Sequence, residues 1–324
     1  MAEITPYAFL IIGLILLSGG ADYLVRGAVS IATALNISPL VVGLTIIAFG
    51  TSLPELVVCV RAASAGAAGL AVGNVVGSNI ANILLVLGAG ALICPISANR
   101  KHCLRDGSIM VSATLLFIAI ALTGSFASLS GTVMILLLLT FLVFSYVQGK
   151  KHGVDDLSMV DMDEVAPETA VPMMRATLWV ITGIIGVAIG AELLISSATT
   201  IARSLGVGEE VIGLTMVAVG TSLPELATVI AAATKRQSGL IVGNVIGSNI
   251  FNILGVMGVT ATVADIPVGG QILTFDIWVM AAAAIVLVSL ILSGSALNRR
   301  KGTVFLALYA AYIAIQYAGV DRII

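Results

Sequence analysis

The sequence predicts an all-α polytopic membrane protein of ten transmembrane helices, arranged as two inverted five-helix repeats. Three observations predict it. The 324-residue chain is 59% hydrophobic and 10% charged, with a mean hydropathy of +1.14, whereas soluble domains run about 45–50% apolar and about 25% charged. Its apolar stretches are long enough to cross a bilayer, which takes roughly 20 residues of helix. Two blocks of sequence also recur at one offset of 170 residues: "VVGLTIIAFGTSLPEL" (41–56) against "VIGLTMVAVGTSLPEL" (211–226), and "VGNVVGSNIANIL" (72–84) against "VGNVIGSNIFNIL" (242–254).

The ten expected spans lie near 5–27, 36–65, 70–94, 106–123 and 127–147, then 176–198, 206–234, 240–263, 275–294 and 302–320. The first is read as a mature helix and not a signal peptide, because Glu3 stands where a positive n-region belongs. "GADYL" (20–24) also has a counterpart, "GAELL" (190–194), at the same offset, so the repeat needs this span. The unit is thus a five-span repeat, 1–147 and again 176–324, joined by a polar linker at 148–175. The linker holds six acids between Asp155 and Glu168 without the spacing of an EF-hand calcium loop, so it reads as a solvated connection.

An odd number of spans sends the second copy into the membrane from the opposite side. Inverted repeats of this kind place a transport site at the midplane between copies. The basic residues agree. With the N-terminus outside, twelve of the fifteen Lys and Arg fall in cytoplasmic connections, leaving Arg61, Arg203 and Arg322 on the other side. Such a bias orients membrane proteins. A multi-pass location in the cell (inner or plasma) membrane follows, with both termini extracytoplasmic.

Several function classes fall away. A net charge of −2 offers no basic field for nucleic acid. Cys59, Cys94 and Cys103 show no metal or disulfide spacing. His102 and His152 sit beside lysines in polar connections, so a hydrolase built on Ser52 or Ser222 lacks an intramembrane base, and no enzyme activity is expected. A channel is disfavoured too, since channels usually build selectivity rings from several subunits and this chain repeats its polar motif within itself.

The repeated motifs carry the chemistry. The second span would be about 45 Å long as one helix at 1.5 Å per residue, against a hydrocarbon core of roughly 30 Å. "GTSLP" offers a break: Pro54 has no N–H for the carbonyl of Gly50. An unwound turn there frees carbonyls around Ala48–Thr51 and adds the hydroxyls of Thr51 and Ser52. Bare backbone persists at membrane depth only in protein or along a cavity. Glu55 and Glu225 lie near the middle of their spans, where an ionised group costs about 2.5–3.5 kcal/mol on insertion scales. Two acids at equivalent positions beside two broken helices read as one shared site.

The third and eighth spans add neutral groups: Asn74, Ser78, Asn79 and Asn82, and Asn244, Ser248, Asn249 and Asn252. Ser78 and Asn82 share a helical face, as do Ser248 and Asn252. Gly73 and Gly77, like Gly243 and Gly247, form GxxxG pairs that favour close helix packing. The donor set is two carboxylates, carbonyls, hydroxyls and amides, an all-oxygen inventory that suits Ca²⁺ and Na⁺ over zinc or copper. An empty site carries about −2, which one Ca²⁺ or two Na⁺ would neutralise. A carrier that rearranges only when loaded exchanges ions, and a third Na⁺ would make the cycle electrogenic.

With "GTSLPEL" and "GNVxGSN" each present twice, the sequence resembles the prokaryotic sodium/calcium exchangers of the calcium:cation antiporter superfamily over essentially its whole length. The resemblance implies the ten-helix exchanger fold, with the first and sixth spans sliding across a bundle of the other eight. It implies Ca²⁺ contacts from Glu55, Glu225, Thr51 and Thr221. It implies Na⁺ contacts from Ala48, Ser52, Ser78, Asn82, Ala218, Ser222, Ser248 and Asn252. The partners are then transported Ca²⁺ and Na⁺ and the lipid bilayer, with no cofactor and no obligate protein partner. Asn252 departs from relatives with Asp there, including potassium-dependent exchangers, and so favours potassium independence. The alternative on the same fold is a Ca²⁺/H⁺ antiporter, whose members usually carry an additional Glu in the Gly-Asn motif that this chain lacks.

Overall fold

The structure is a computed structural model that describes residues 5–97, 100–157, 171–205 and 220–318. It is helical almost throughout. In chain order the helices are α1 (Thr5–Leu35), α2 (Pro39–Thr51), α3 (Leu53–Ser64), α4 (Ala68–Ile93), α5 (Arg100–Ala121) and α6 (Ser128–Leu157). They continue with α7 (Met173–Ser204), α8 (Leu223–Thr234), α9 (Ser238–Val263), α10 (Ile272–Leu292) and α11 (Arg299–Ala318). Two-residue strands, β1 (Ser125–Phe126) and β2 (Ile266–Pro267), pair antiparallel between the α5–α6 and α9–α10 connections.

Among the described residues, seven helices are long and apolar enough to cross a membrane, and the bent pair α2–α3 makes up to eight. α11 is 20 residues long but interrupts its apolar sequence with Tyr309, Tyr312, Gln316 and Tyr317. The described part of the expected seventh span is α8, 12 residues; the remainder of that span, with Ala218, lies outside the described residues.

Helix ends differ from the apolar limits for physical reasons. α1 continues past residue 27 through "GAVSIATAL", which is small and helix-compatible. It stops at Asn36, whose φ of 53° lies in the left-handed region, a conformation that Asn tolerates better than most residues. α2 restarts on Ser38, whose hydroxyl accepts the N–H of Leu40 at 3.2 Å, with Pro39 opening the first turn. α6 runs to Leu157, so the stretch expected to be linker begins as helix. Lys and Gln are good helix formers that water solvates beyond the bilayer. The acidic run from Asp161 to Glu168 lies outside the described residues.

The layers follow polarity. α9 is wholly enclosed and α4 is 72% buried over its most apolar window, whereas α1, α6 and α7 bury only about a third of theirs or less. The two helices that carry the Asn and Ser motifs are therefore the most shielded from lipid.

α1 and α7 pack antiparallel, mainly on each other, through a seam of glycines seven residues apart. A Cβ on Gly20 would lie 2.6 Å from the backbone nitrogen of Val187, and one on Gly190 would lie 2.4 Å from that of Leu17. Close backbone approach of this kind is how helices associate where lipid removes the hydrophobic drive. Leu17, Ala21, Val187 and Ala191 form a small core separate from the main one.

This seam makes a prediction. Gly190→Ala forces backbones apart and should destabilise by about 1–3 kcal/mol, whereas Gly19→Ala, on the exposed face with open space around it, should leave the melting midpoint in detergent unchanged or slightly higher. Equal midpoints for the two variants would contradict the packing.

Candidate functional site

The second span ends one helix and starts another. Ser52 (φ −88°, ψ 6°) separates α2 from α3, which are bent 43° apart, and Ser222 (φ −90°, ψ 5°) precedes α8 with the same geometry. Pro54 and Pro224 occupy the first turns of α3 and α8. There a missing N–H is harmless and the fixed φ suits the helix. The proline thus starts a new helix instead of distorting a continuous one. Less backbone is bare than the sequence suggested: the Ala48 carbonyl accepts the Ser52 N–H at 3.1 Å and the Ile47 carbonyl accepts the Thr51 hydroxyl at 3.1 Å.

This geometry sets the acids at helix N-termini. Glu55 is in the first turn of α3 and Glu225 in the first turn of α8. The positive end of a helix macrodipole stabilises a carboxylate there. Both side chains are fully buried. The Ser52 hydroxyl donates to Glu225 Oε1 at 3.2 Å, so a residue of the first break touches the acid of the second. The hydroxyls of Ser78 and Thr221 pair across the halves in the same way, 3.2 Å apart.

The amide helices close around these groups. Gly243 and Gly247 bring α9 onto the backbone of α2, where a Cβ would sit 2.3 Å from the Leu40 carbonyl oxygen and 2.6 Å from that of Leu44. Asn82 and Asn252 lie in π-helical turns, Asn82–Val86 and Phe251–Met257. Such turns are rare and concentrate at functional sites. The Asn252 turn packs on α3 and the Asn82 turn on α8, so the turn that carries each amide lies against the glutamate helix of the other half.

Of the expected residues, Glu55, Glu225, Thr51, Ala48, Ser52, Ser78, Asn82, Ser222, Ser248 and Asn252 are buried, and Thr221 is partly so. Ala218 lies outside the described residues. The structure directly links Ser52 with Glu225 and Ser78 with Thr221. Polar satisfaction is incomplete. Both oxygens of Glu55, Glu225 Oε2, Ser222 Oγ and both side-chain amide atoms of Asn82 and of Asn252 are buried with no hydrogen-bond partner. Buried polar groups are almost always paired, so oxygens left this way fit a cation as the missing partner. Among the described residues no group of three His, Cys, Asp or Glu converges, so the donors are mixed oxygens and not a soft-metal set.

Two roles escaped sequence reasoning, although Asn244 was itself among the motif amides. Asn244 accepts the hydroxyls of Thr51 at 3.5 Å and Ser248 at 3.4 Å, which makes it the joint between α2 and α9; its place in the repeated motif was the available signal. Asp106 and Asp276, also separated by the repeat offset, are both buried. Asp106 receives a two-pronged bond from Arg105 at 2.7 and 2.9 Å. Asp276 accepts from Tyr312 at 3.1 Å, from Gln271 at 3.4 Å and from Gln316. These acids are saturated by protein donors, unlike Glu55.

The two glutamates predict a stability effect. Glu55→Gln removes a buried charge while preserving shape. It should raise the melting midpoint in ion-free buffer by about 1–2 °C, as relief of roughly 1 kcal/mol does in a chain of this length. A fall in the midpoint would refute the view of Glu55 as an uncompensated carboxylate.

Comparison with known proteins agrees with this architecture. The family described as sodium/calcium exchanger protein matches residues 5–147 and 175–318. The chain is 39% identical over 310 residues to a candidate antiporter, CaxA, of Alkalimonas amylolytica, covering 95% of this chain and 97% of that one. It is 30% identical to sodium/calcium exchanger MaX1 of Methanosarcina acetivorans, covering 96% and 98%. Among solved structures, the sodium-calcium exchanger NCX_Mj superposes with a TM-score of 0.83 at 35% identity, over 96% of this chain and 98% of that one. The chain is a multi-pass membrane protein that belongs to the sodium/calcium exchanger family of secondary transporters.

Proposed function

We propose that this protein exchanges Na⁺ for Ca²⁺ across the cell membrane by alternating access at a midplane site built on Glu55 and Glu225. The observation that carries the reading is the presence of two fully buried carboxylates, each in the first turn of a helix and one of them bonded to Ser52 of the other half, with unpartnered polar atoms on both. Both family relatives and structural neighbours named as sodium/calcium exchangers support it.

On this reading Ca²⁺ takes Glu55 and Glu225 with the backbone oxygens of Thr51 and Thr221. Na⁺ takes the carbonyls of Ala48 and Ala218, the polar side chains of Ser52, Ser78, Asn82, Ser222, Ser248 and Asn252, and the glutamates. One Ca²⁺ offsets both carboxylates, as two Na⁺ do, and a third Na⁺ would carry net charge. The unloaded site, at about −2, faces the cost of moving uncompensated charge through low dielectric, which suppresses leak and couples the two fluxes. The fold on this reading is ten spans in two inverted five-helix repeats, 1–147 and 176–324 around the 148–175 linker, with both termini outside. That requires residues 206–234 to form one broken span and α11 to cross.

Sodium coupling is favoured over proton coupling because the Gly-Asn motifs contain no acid and Asn252 offers a neutral amide. The test is Ca²⁺ uptake into proteoliposomes under an imposed Na⁺ gradient with pH clamped on both sides. Sodium-driven uptake is expected. Uptake driven only by a pH gradient would establish the Ca²⁺/H⁺ alternative.

Glu55→Gln and Glu225→Gln should each abolish Ca²⁺ flux in well-folded protein, a loss of at least about a hundredfold given that charge-assisted contacts are worth roughly 1.5–3 kcal/mol each and several are lost together. A folded Glu55→Gln variant with wild-type flux would remove the site assignment. Adding K⁺ at constant ionic strength should change the rate little, whereas a strong K⁺ requirement would overturn the inference from Asn252.

A further inference from the structure

The two halves are duplicates in sequence but do not pack alike, and the difference centres on one ion-pair network. Asp22 of α1 accepts Lys235 Nζ at 2.5 Å and Arg26 Nε at 2.8 Å. Lys235 directly follows α8, so this network joins α1 to the helix that carries Glu225. All three side chains are partly shielded, between 29% and 48% exposed.

At the repeat offset, none of this is reproduced. The counterpart of Lys235 is Ala65, that of Arg26 is Ser196, and that of Asp22 is Glu192. Glu192 is exposed and makes no ion pair among the described residues. Packing shows the same asymmetry. α1 lies along α8, where Leu223, Ala227 and Ala231 pack against the Leu17–Ala21 core. α7, the counterpart of α1, does not lie along α3. Val57 of α3 is 48% exposed, whereas its counterpart on α8, Ala227, is partly covered by α1.

α1 and α7 form a unit with its own small core, seated against the rest of the bundle. Exact duplication would make seating on α8 and seating on α3 equal in energy. An ion pair present at only one of these seams lifts the degeneracy. We propose that Asp22, Lys235 and Arg26 form an electrostatic latch that holds the α1–α7 pair against α8 and biases the protein toward the arrangement seen here, with the α3 side uncovered. This rests on the alternating-access reading of the site. It adds a resident bias between the two access states, set by the protein's own charges and not by the transported ions.

The full chain, with its three cysteines replaced by alanine, is labelled with nitroxides at Leu35→Cys on α1 and Val304→Cys on α11. Both positions are exposed, and α11 packs on α4 within the bundle. Pulsed-EPR distances are measured in ion-free nanodiscs. One dominant distance is expected with Asp22 and Lys235 intact. Asp22→Asn and Lys235→Gln should each shift population toward a second distance about two- to fivefold, the range that partly exposed ion pairs support. The exchange Asp22→Lys with Lys235→Asp should restore the original distribution, because Asp at 235 faces Lys at 22 and Arg26. Unchanged distributions in both single variants would overturn the latch, as would a charge exchange that behaves like the single variants. Parallel flux measurements on unlabelled protein separate the two ideas. Absent sodium-driven Ca²⁺ uptake with shifted distances would refute the exchanger reading and leave the latch standing. Normal uptake with unshifted distances would do the reverse.

Discussion

Two carboxylates buried in one low-dielectric interior are the constraint on which the rest of the structure depends. Among the described residues, neither Glu55 nor Glu225 has a lysine, arginine or histidine as a hydrogen-bonded or ion-paired neighbour. An ionised group in such a place needs compensation, and the fold supplies part of it with dipoles. Starting a helix after Ser52 and another after Ser222 sets both acids at helix N-termini, where the macrodipole favours them. A continuous helix would have left each acid in mid-span with no such field. The breaks are tolerable because α4 and α9, the most enclosed helices, cover them.

Dipoles do not complete the compensation. Both oxygens of Glu55 and one of Glu225 remain without a donor, and the amides of Asn82 and Asn252 are equally idle. Asp106 and Asp276 make the contrast within the same chain. Both are buried acids, and there the protein provides donors enough to hold the carboxylate permanently. A site whose purpose is structural is saturated. On the exchange reading proposed for Glu55 and Glu225 the site is left open, because resident donors would compete with the ion for the same lone pairs.

Much of this was legible in the sequence because the signals are strong and local. Apolar length marks spans, proline after Gly-Thr-Ser marks a break, and a charge in an apolar run stands out. The repeat offset then tied Glu55 to Glu225 before any coordinates. What was not legible depends on packing. The glycines at 13, 20, 183 and 190 gain their meaning only from the antiparallel α1–α7 seam, which brings backbones within contact. The role of Pro54 was half right. It marks the break, but as the opening of α3 it leaves the Ala48 carbonyl bonded to the Ser52 N–H. Asp276 carried a signal that periodicity could not interpret, since its partners Tyr312 and Gln316 come from another helix.

The duplication also hides a difference in chemistry that sequence identity obscures. Asn74 and Asn244 occupy the same place in the same motif, yet they are held oppositely. Cys59 accepts the Asn74 amide at 3.2 Å, leaving the Asn74 oxygen without a partner. The counterpart of Cys59 is Val229, which cannot hold an amide, and Asn244 instead turns its oxygen to the hydroxyls of Thr51 and Ser248. A single substitution beside the motif thus reverses which end of a buried amide is committed to the protein. Together with the Asp22–Lys235 contact at only one seam, it means that the halves share a fold and a pair of acids but not a common energy. For a transporter that must visit two states, unequal halves are what allow one state to be preferred.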